Sequence, residues 1–327
     1  MRISAKIIAI SVAPNGQMIV TWELEYQRFI HGEFMTHRLF SRNAASSRAI
    51  PVATIIKQVN DDPAMPIHWG ANQSGMQASN ELSPVMQVGA KWAWKMAAKA
   101  AVKWAEAMVK LGLHKQATNR ILEPFQTMKT VMTATCMDNF FWLRNHPDAQ
   151  PEIKELARLM WEALQASTPF ELKPGEWHVP YVWTGRNAAG EVAYGLDTGR
   201  VENGLKVYDE LSLENALQIS SSCCAQVSYR RLDDTLEKAQ MVYKRLVDSE
   251  PVHASPFEHQ ATPMIDPEYE DMLVRRFSED AEGAFDEGVT HTDRNGKNWS
   301  GNFVGWVQHR QLIPNNVCTH YKEQQHG

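Results

Sequence analysis

Residues 18–27, "MIVTWELEYQ", alternate without a break: Val20, Trp22, Leu24 and Tyr26 fall on one side, and Thr21, Glu23, Glu25 and Gln27 on the other. A period of two fits an extended strand with two different faces and does not fit a helix. Upstream, Ile8, Ile10 and Val12 repeat the pattern, and Asn15-Gly16 between the runs supplies the positive φ angles that a tight hairpin needs. The chain is therefore expected to start on an antiparallel hairpin, and everything after it has to pack on that sheet. With 327 residues, 43% of them hydrophobic and 22% charged, there is enough chain for one large or two modest domains.

The second strand runs toward "THRLFSRNAASSRAIP", Thr36 to Pro51, which holds three arginines, a histidine, an asparagine and three serines but no carboxylate. Between Gln27 and Ile56 there are Arg28, Arg38, Arg42 and Arg48 against the single acid Glu33. In a chain of net charge −5 such a cluster is a local anion site or a solvated basic loop, and from charge alone the loop is the commoner outcome. The overall charge argues against general nucleic-acid coating. Pro51 restricts Ile50 and discourages a helix through that point.

"SPVMQVGAKWAWKMAAKAAVKWAEAMVKLGLH" predicts a long helix opened by Ser83-Pro84, with its Met and Trp stripe expected in the core. A second helix is expected over Pro151 to Ser167. Proline and glycine then punctuate the chain as far as Glu210, giving an expected division into a core at 1–168, a linker at 169–211 and a C-terminal part at 212–327. There, "SLENALQISSSCCAQVSY" and "DTLEKAQMVYKRLVDSE" look helical, and "IDPEYEDMLVRRFSEDAEGAFDEG" reads as an acidic solvated segment. "FMTHRLFSRN" and "WVQHRQLIPN" form a weak internal echo. Cys136, Cys223, Cys224 and Cys318 make no CxxC pair, so neither a disulfide framework nor a zinc cluster is expected. Without a signal-like or membrane-length apolar run, a cytoplasmic protein with no membrane partner is expected.

Two further clusters carry possible chemistry. Arg120 in "NRILEP" and Arg144 in "NFFWLR" stand in apolar surroundings and need anionic partners, for which Glu123 and Asp148 are structural candidates. In "CAQVSY" and "HASPFEH", Ser228, His253, Ser255, Glu258 and His259 gather, without zinc spacing; a helix cap at Ser255, with Pro256 first and Glu258 closing a capping box, accounts for them locally. GxSxG, Walker and GxGxxG signatures are missing from the sequence.

Together the clusters resemble the flavin-dependent thymidylate synthases. The family pattern RHRxxSxNxxSxRY is matched at His37, Arg38, Ser41, Asn43, Ser46 and Arg48; "NRILEP" resembles aRxxLP, and "NFFWLRNHPDAQPEI" resembles NxxxLRxxxxAQxEI. The elements that open an ordinary member appear here late, as "AQVSY" and "HASPFEH", so the chain resembles a permuted, long, phage-type member.

The resemblance implies an α+β fold with a central, mainly antiparallel sheet flanked by helices. It implies FAD as cofactor, with NADPH and 5,10-methylenetetrahydrofolate as co-substrates, and methylation of dUMP to dTMP in a homo-oligomer. His37, Arg38, Ser41, Asn43, Asn139, Ser228, His253, Ser255 and Glu258 would contact the flavin. Glu33, Ser46, Arg48, Arg120 and Arg144 would hold the nucleotide, with Ser46 and Arg144 catalytic and no metal involved. Thr36, Ala44, Ala49 and Gln226 depart from the family pattern. Those departures leave two alternatives open, folate-dependent hydroxymethylation of dUMP or dCMP and a non-catalytic nucleotide-binding relative.

Overall fold

The computed structural model describes residues 3–202, 204–228, 232–265 and 286–320. Most of the acidic segment expected at 265–288 lies outside them. β1 (Ser4–Val12) and β2 (Met18–Gln27) form the expected hairpin, closed by an Ala13 to Gln17 loop in which Gly16 has a φ of 83°. The short helix α1 (His31–Met35) leads to β3 (Ser41–Ala44), and helices α2 (Val52–Asp61), α3 (Pro84–Lys110) and α4 (Lys115–Thr118) precede β4 (Thr127–Ala134). Pro51 stands at the N-cap of α2, which begins at Val52.

β4 pairs antiparallel with both β2 and β3, and β5 (Phe170–Glu171) adds to β1 in parallel, so the sheet order is β3-β4-β2-β1-β5. The sheet is mainly antiparallel and flanked by helices, an α+β fold. On one face Val20, Trp22, Leu24 and Tyr26 pack with Phe140 and Phe141 of α5 (Asp138–Arg144) and with Ile153, Leu156 and Met160 of α6 (Pro151–Gln165). Gln150 caps α6 by accepting from the Ile153 N–H at 3.2 Å, and the buried Glu152 carboxylate accepts from the Ile67 N–H at 2.8 Å. The "AQxEI" stretch is thus used to start and anchor a helix.

The other face is covered as well, by the C-terminal part. Residues 169–211, read from sequence as a linker, carry a three-stranded sheet of β6 (Trp183–Arg186), β7 (Val192–Glu202) and β8 (Leu205–Leu211). α7 (Leu213–Ala225) and α8 (Leu236–Val247) follow, then β9 (Ala261–Pro263), β10 (His291–Thr292), β11 (Asn298–Ser300), β12 (Phe303–Val304) and β13 (Trp306–Gln308) in two small antiparallel sheets. Thr21 and Thr133, on the polar side of β2 and β4, are buried as a result, and Gln27 on the same side is buried with its Nε2 donating to the Met65 carbonyl at 3.4 Å.

α3 departs from expectation in one respect. Its buried stripe is Ala98, Val102 and Ala105, whereas Val88, Trp92, Met96 and Trp104 are exposed rather than in the core. Small residues let α3 lie close against α2 and the 119–125 turn, which turns the large side chains outward. Among the described residues no helix is long and apolar enough to cross a membrane.

Candidate functional site around strand β3

Arg42 shapes the approach to β3. Its Nη1 donates to the Phe34 carbonyl at 3.1 Å and the His37 carbonyl at 3.0 Å, folding residues 34–37 back over the strand. His37 lies on Phe40, with ring centroids 5.7 Å apart, and meets Phe140 edge-on at 4.9 Å. α5, held by Phe140 and Phe141 in the core, delivers Arg144, whose Nε donates to His37 Nε2 at 2.9 Å and whose Nη2 donates to Thr36 Oγ1 at 3.3 Å. Burial, then the neighbouring Arg144 and Arg42 cations, push His37 down to about 4. The imidazole is therefore neutral at pH 7, and accepting at Nε2 places its proton on Nδ1. Asp148, a candidate partner for Arg144, sits 3.8 Å from His146 instead, and among the described residues Arg144 has no ion-pair partner.

At the other end of β3, a second group of the expected residues is organised by Glu123. Its carboxylate takes Arg120 at 2.8 Å, Arg28 at 3.1 Å and the Ser47 hydroxyl at 2.6 Å. Burial pushes Glu123 up, but Ser47, Arg28 and Arg120 outweigh it and hold the group below its ordinary value. Asn119 pins the same loop by donating to the carbonyls of Ser47 at 2.6 Å and Ile50 at 3.0 Å. On this loop Ser46 is half-buried and Arg48 exposed. Among the described residues no hydrogen bond or ion pair joins Glu123, Arg28 or Arg120 to His37 or Arg144.

Between the two ends, the side chains of β3 are taken up internally. Ser41 Oγ donates to Asn302 Oδ1 at 3.1 Å and accepts from Gln308 Nε2 at 3.2 Å; Asn43 Nδ2 donates to the Cys224 carbonyl at 3.2 Å. Residues Ser255–Glu258 form a 3-10 turn packed on β3, and no side chain caps it. Glu258 closes no capping box because Arg310 Nη1 holds its carboxylate. Ser255, His253, Glu33, Arg38 and Asn139 are exposed. Ser228 ends a short turn after α7, and its side chain lies outside the described residues. Gln226, where the family pattern has an arginine, staples a loop by donating to the Asp233 carbonyl at 2.7 Å and accepting from the Asp233 N–H at 3.0 Å.

Sequence reading missed a buried polar chain beneath this region. Ser11 Oγ meets His178 Nδ1 at 2.9 Å, His178 Nε2 meets Thr21 Oγ1 at 2.8 Å, Thr21 meets Thr133 at 2.7 Å, and Thr133 meets His259 Nδ1 at 2.8 Å. Burial drives both His178 and His259 down to about 3, so both are neutral. His178 stands in the stretch read as linker; the available signal was the row of threonines on the polar side of β2 and β4.

The family model described as thymidylate synthase complementing protein matches residues 13–170, which include β3, α5 and both ends of the site but neither "AQVSY" nor "HASPFEH". No curated protein matches the chain. Among solved structures, a UMP/dUMP methylase, PolB, from Streptomyces cacaoi bound with 5-Br dUMP is similar at 14% identity. It has a TM-score of 0.43 and covers 50% of this chain and 90% of its own. The same protein bound with 5-Br UMP gives 14% identity, a TM-score of 0.42 and coverages of 50% and 88%.

Proposed function

Because residues 13–170 belong to the thymidylate synthase complementing protein family, we propose that this chain binds a pyrimidine deoxynucleotide, dUMP first among them, and methylates it with FAD, NADPH and methylenetetrahydrofolate. The observation that carries the reading is the Arg144 to His37 hydrogen bond of 2.9 Å, which joins two motifs 107 residues apart in sequence. A neutral His37 accepts from Nε and fixes the guanidinium plane, leaving Nη1 without a described partner for a ligand oxygen. In this role Arg144 holds negative charge on a pyrimidine carbonyl, an interaction that strengthens where water is excluded.

Fit to the flavin is partial. His37, Arg38 and Asn139 offer donors near the Phe40 and Phe140 rings, and Arg38 and Arg48 are exposed cations with no ion-pair partner among the described residues. Ser41, Asn43 and Glu258 are engaged inside the fold. When bound, the flavin would supply hydride transfer to the pyrimidine, while the chain's own residues bind and polarise it. The packing of the turn after α7 and of the Ser255–Glu258 turn on β3 supports reading the C-terminal part as the relocated opening of an ordinary family member.

The engaged Ser41, Asn43 and Glu258 favour one second reading: a nucleotide-binding relative without flavin. Titrating purified protein with FAD and dUMP while following NADPH oxidation separates them. Yellow protein whose NADPH oxidation accelerates with dUMP supports the enzyme. dUMP binding with no flavin bound supports the relative, and no binding of either rejects both. Product mass then distinguishes methyl from hydroxymethyl transfer to dUMP or dCMP.

A further inference from the structure

β3 holds an arginine that the family pattern does not require. Arg42 falls at a position that RHRxxSxNxxSxRY leaves open, whereas the arginine with which the pattern begins is Thr36 here. Thr36 is committed: its hydroxyl donates to the Glu33 carbonyl at 2.7 Å and accepts from Arg144 Nη2 at 3.3 Å. Arg42 brings a guanidinium to the same turn by another route, because both of its described hydrogen bonds, to the Phe34 and His37 carbonyls, are made by Nη1. Nε and Nη2 have no described partner, and neither is closed off inside the chain. Together they make the two-pronged edge of the guanidinium, which matches an oxyanion.

The charge on that edge is not met by the chain. Arg42 is half-buried and forms no ion pair among the described residues. Burial pulls it below its ordinary value against the opposing pull of Tyr26 and Glu258, and Glu258 is itself held by Arg310. A guanidinium withdrawn from water without a carboxylate is costly unless an anion arrives. Around His37 the chain gathers Arg38, Arg42 and Arg144, against Glu33 as the single acid between Gln27 and Ile56. Such a surplus suits a phosphate, with a charge of about −1.5 to −2, better than a carboxylate.

We propose that Arg42 is a phosphate-binding residue of this site and takes the place of the arginine missing at position 36. Its ligand, a phosphate of the nucleotide or of the flavin, rests on the function proposed above. Arg144 stays free for the pyrimidine ring, and the Nε and Nη2 edge of Arg42 holds the phosphate.

Calorimetric titration of the full chain with inorganic pyrophosphate at low salt tests this. Arg42→Gln should weaken binding about 10- to 100-fold, the loss expected for a hydrogen-bonded charge. Arg42→Lys should fall between the two, keeping the charge and losing the fork. Thr36→Arg in the Arg42→Gln background should recover most of the affinity but not the urea midpoint, because the Phe34 and His37 carbonyls still lack their donor. In histidine-labelled protein, pyrophosphate should raise the His37 pKa from about 4, and Arg42→Gln should abolish that rise. Comparing dUMP with deoxyuridine and FAD with riboflavin identifies the source: Arg42→Gln should weaken only the phosphorylated member of one pair. Unchanged pyrophosphate affinity in Arg42→Gln overturns the proposal, as does a loss that Thr36→Arg leaves uncorrected, or equal losses within both ligand pairs. Pyrophosphate binding through Arg42 without flavin binding or NADPH oxidation would reject the enzyme and keep this site, so the two readings fail separately.

Discussion

The chain contains the dipeptide His-Arg twice, and the two copies live in opposite surroundings. At His37-Arg38 the histidine is half-buried, takes a hydrogen bond from Arg144, and the arginine beside it is exposed with no ion-pair partner among the described residues. At His309-Arg310 the histidine is buried edge-on between Trp177 and Phe257, with centroids 5.5 Å from each, and the arginine is locked onto Glu258 and the Asn316 carbonyl. The same two side chains therefore do different work. The second pair closes the fold, and the first leaves a cation at the surface beside a neutral imidazole. Whether an arginine can serve a ligand is decided by whether a carboxylate of its own chain reaches it first.

The largest way to break both copies at once is acid. His37 and His309 are held down to about 4, and His178 and His259 to about 3, chiefly by burial. Every one of these folded values lies below the ordinary 6.5, so the unfolded chain binds more protons as pH falls. The stability tied to the neutral rings is complete above pH 6.5 and is lost progressively as pH drops toward 4 and then 3. For His178 and His259 together the slope is on the order of 3 kcal/mol per pH unit. Melting temperatures taken from pH 7.5 down to 5 are expected to fall steeply below 6.5, and a flat profile contradicts neutral buried histidines.

Next in size is Arg144→Ala. On the proposed reading it removes the charge-stabilising group and lowers nucleotide-dependent turnover about 100- to 1,000-fold. The urea midpoint should barely change, because Arg144 closes no ion pair among the described residues. A comparable loss in stability would assign Arg144 to the fold, like its counterpart Arg310.

Glu258→Ala examines that counterpart. Side chains of Arg310 and Glu258 are 30% and 19% exposed, so removing the acid strands a largely buried guanidinium whose Nε already lacks a partner. The expected cost is about 2 kcal/mol, read as a shift in the urea midpoint. Arg310→Leu together with Glu258→Leu should recover part of it, because two apolar groups leave no charge unpaired. No recovery would mean that the pair does more than close the fold.

The contrast also explains how far the sequence could be read. The hairpin was visible because alternation and Asn15-Gly16 are local signals, as was the start of α3 at Ser83-Pro84. The outer stripe of α3 was not placed correctly, because periodicity says that a helix has an apolar side without saying whether its own chain will cover it. Ser41 and Asn43 were singled out by a motif, yet their partners Asn302, Gln308 and Cys224 lie 181 to 267 residues away. Such distances leave no trace in spacing. His178 was overlooked for a related reason: its burial is created by Thr21 and Ser11 from the other end of the chain, not by the proline- and glycine-punctuated stretch around it.

The smallest expected effect falls on Arg38, and it is the sharpest test of the comparison. An exposed arginine with no ion-pair partner among the described residues adds little to folding, so Arg38→Ala should shift stability by no more than about 0.5 kcal/mol. If its charge waits for a phosphate, nucleotide or flavin affinity should drop by about three- to tenfold, since a solvent-exposed ionic contact is worth roughly 1 kcal/mol. That loss should shrink at high salt, because the contact is screened. Arg38→Lys should restore part of it, keeping the charge while losing the two-pronged geometry. Equal binding by wild type and Arg38→Ala at low salt would place the anion elsewhere and leave Arg144 as the one cation that distinguishes the first His-Arg site from the second.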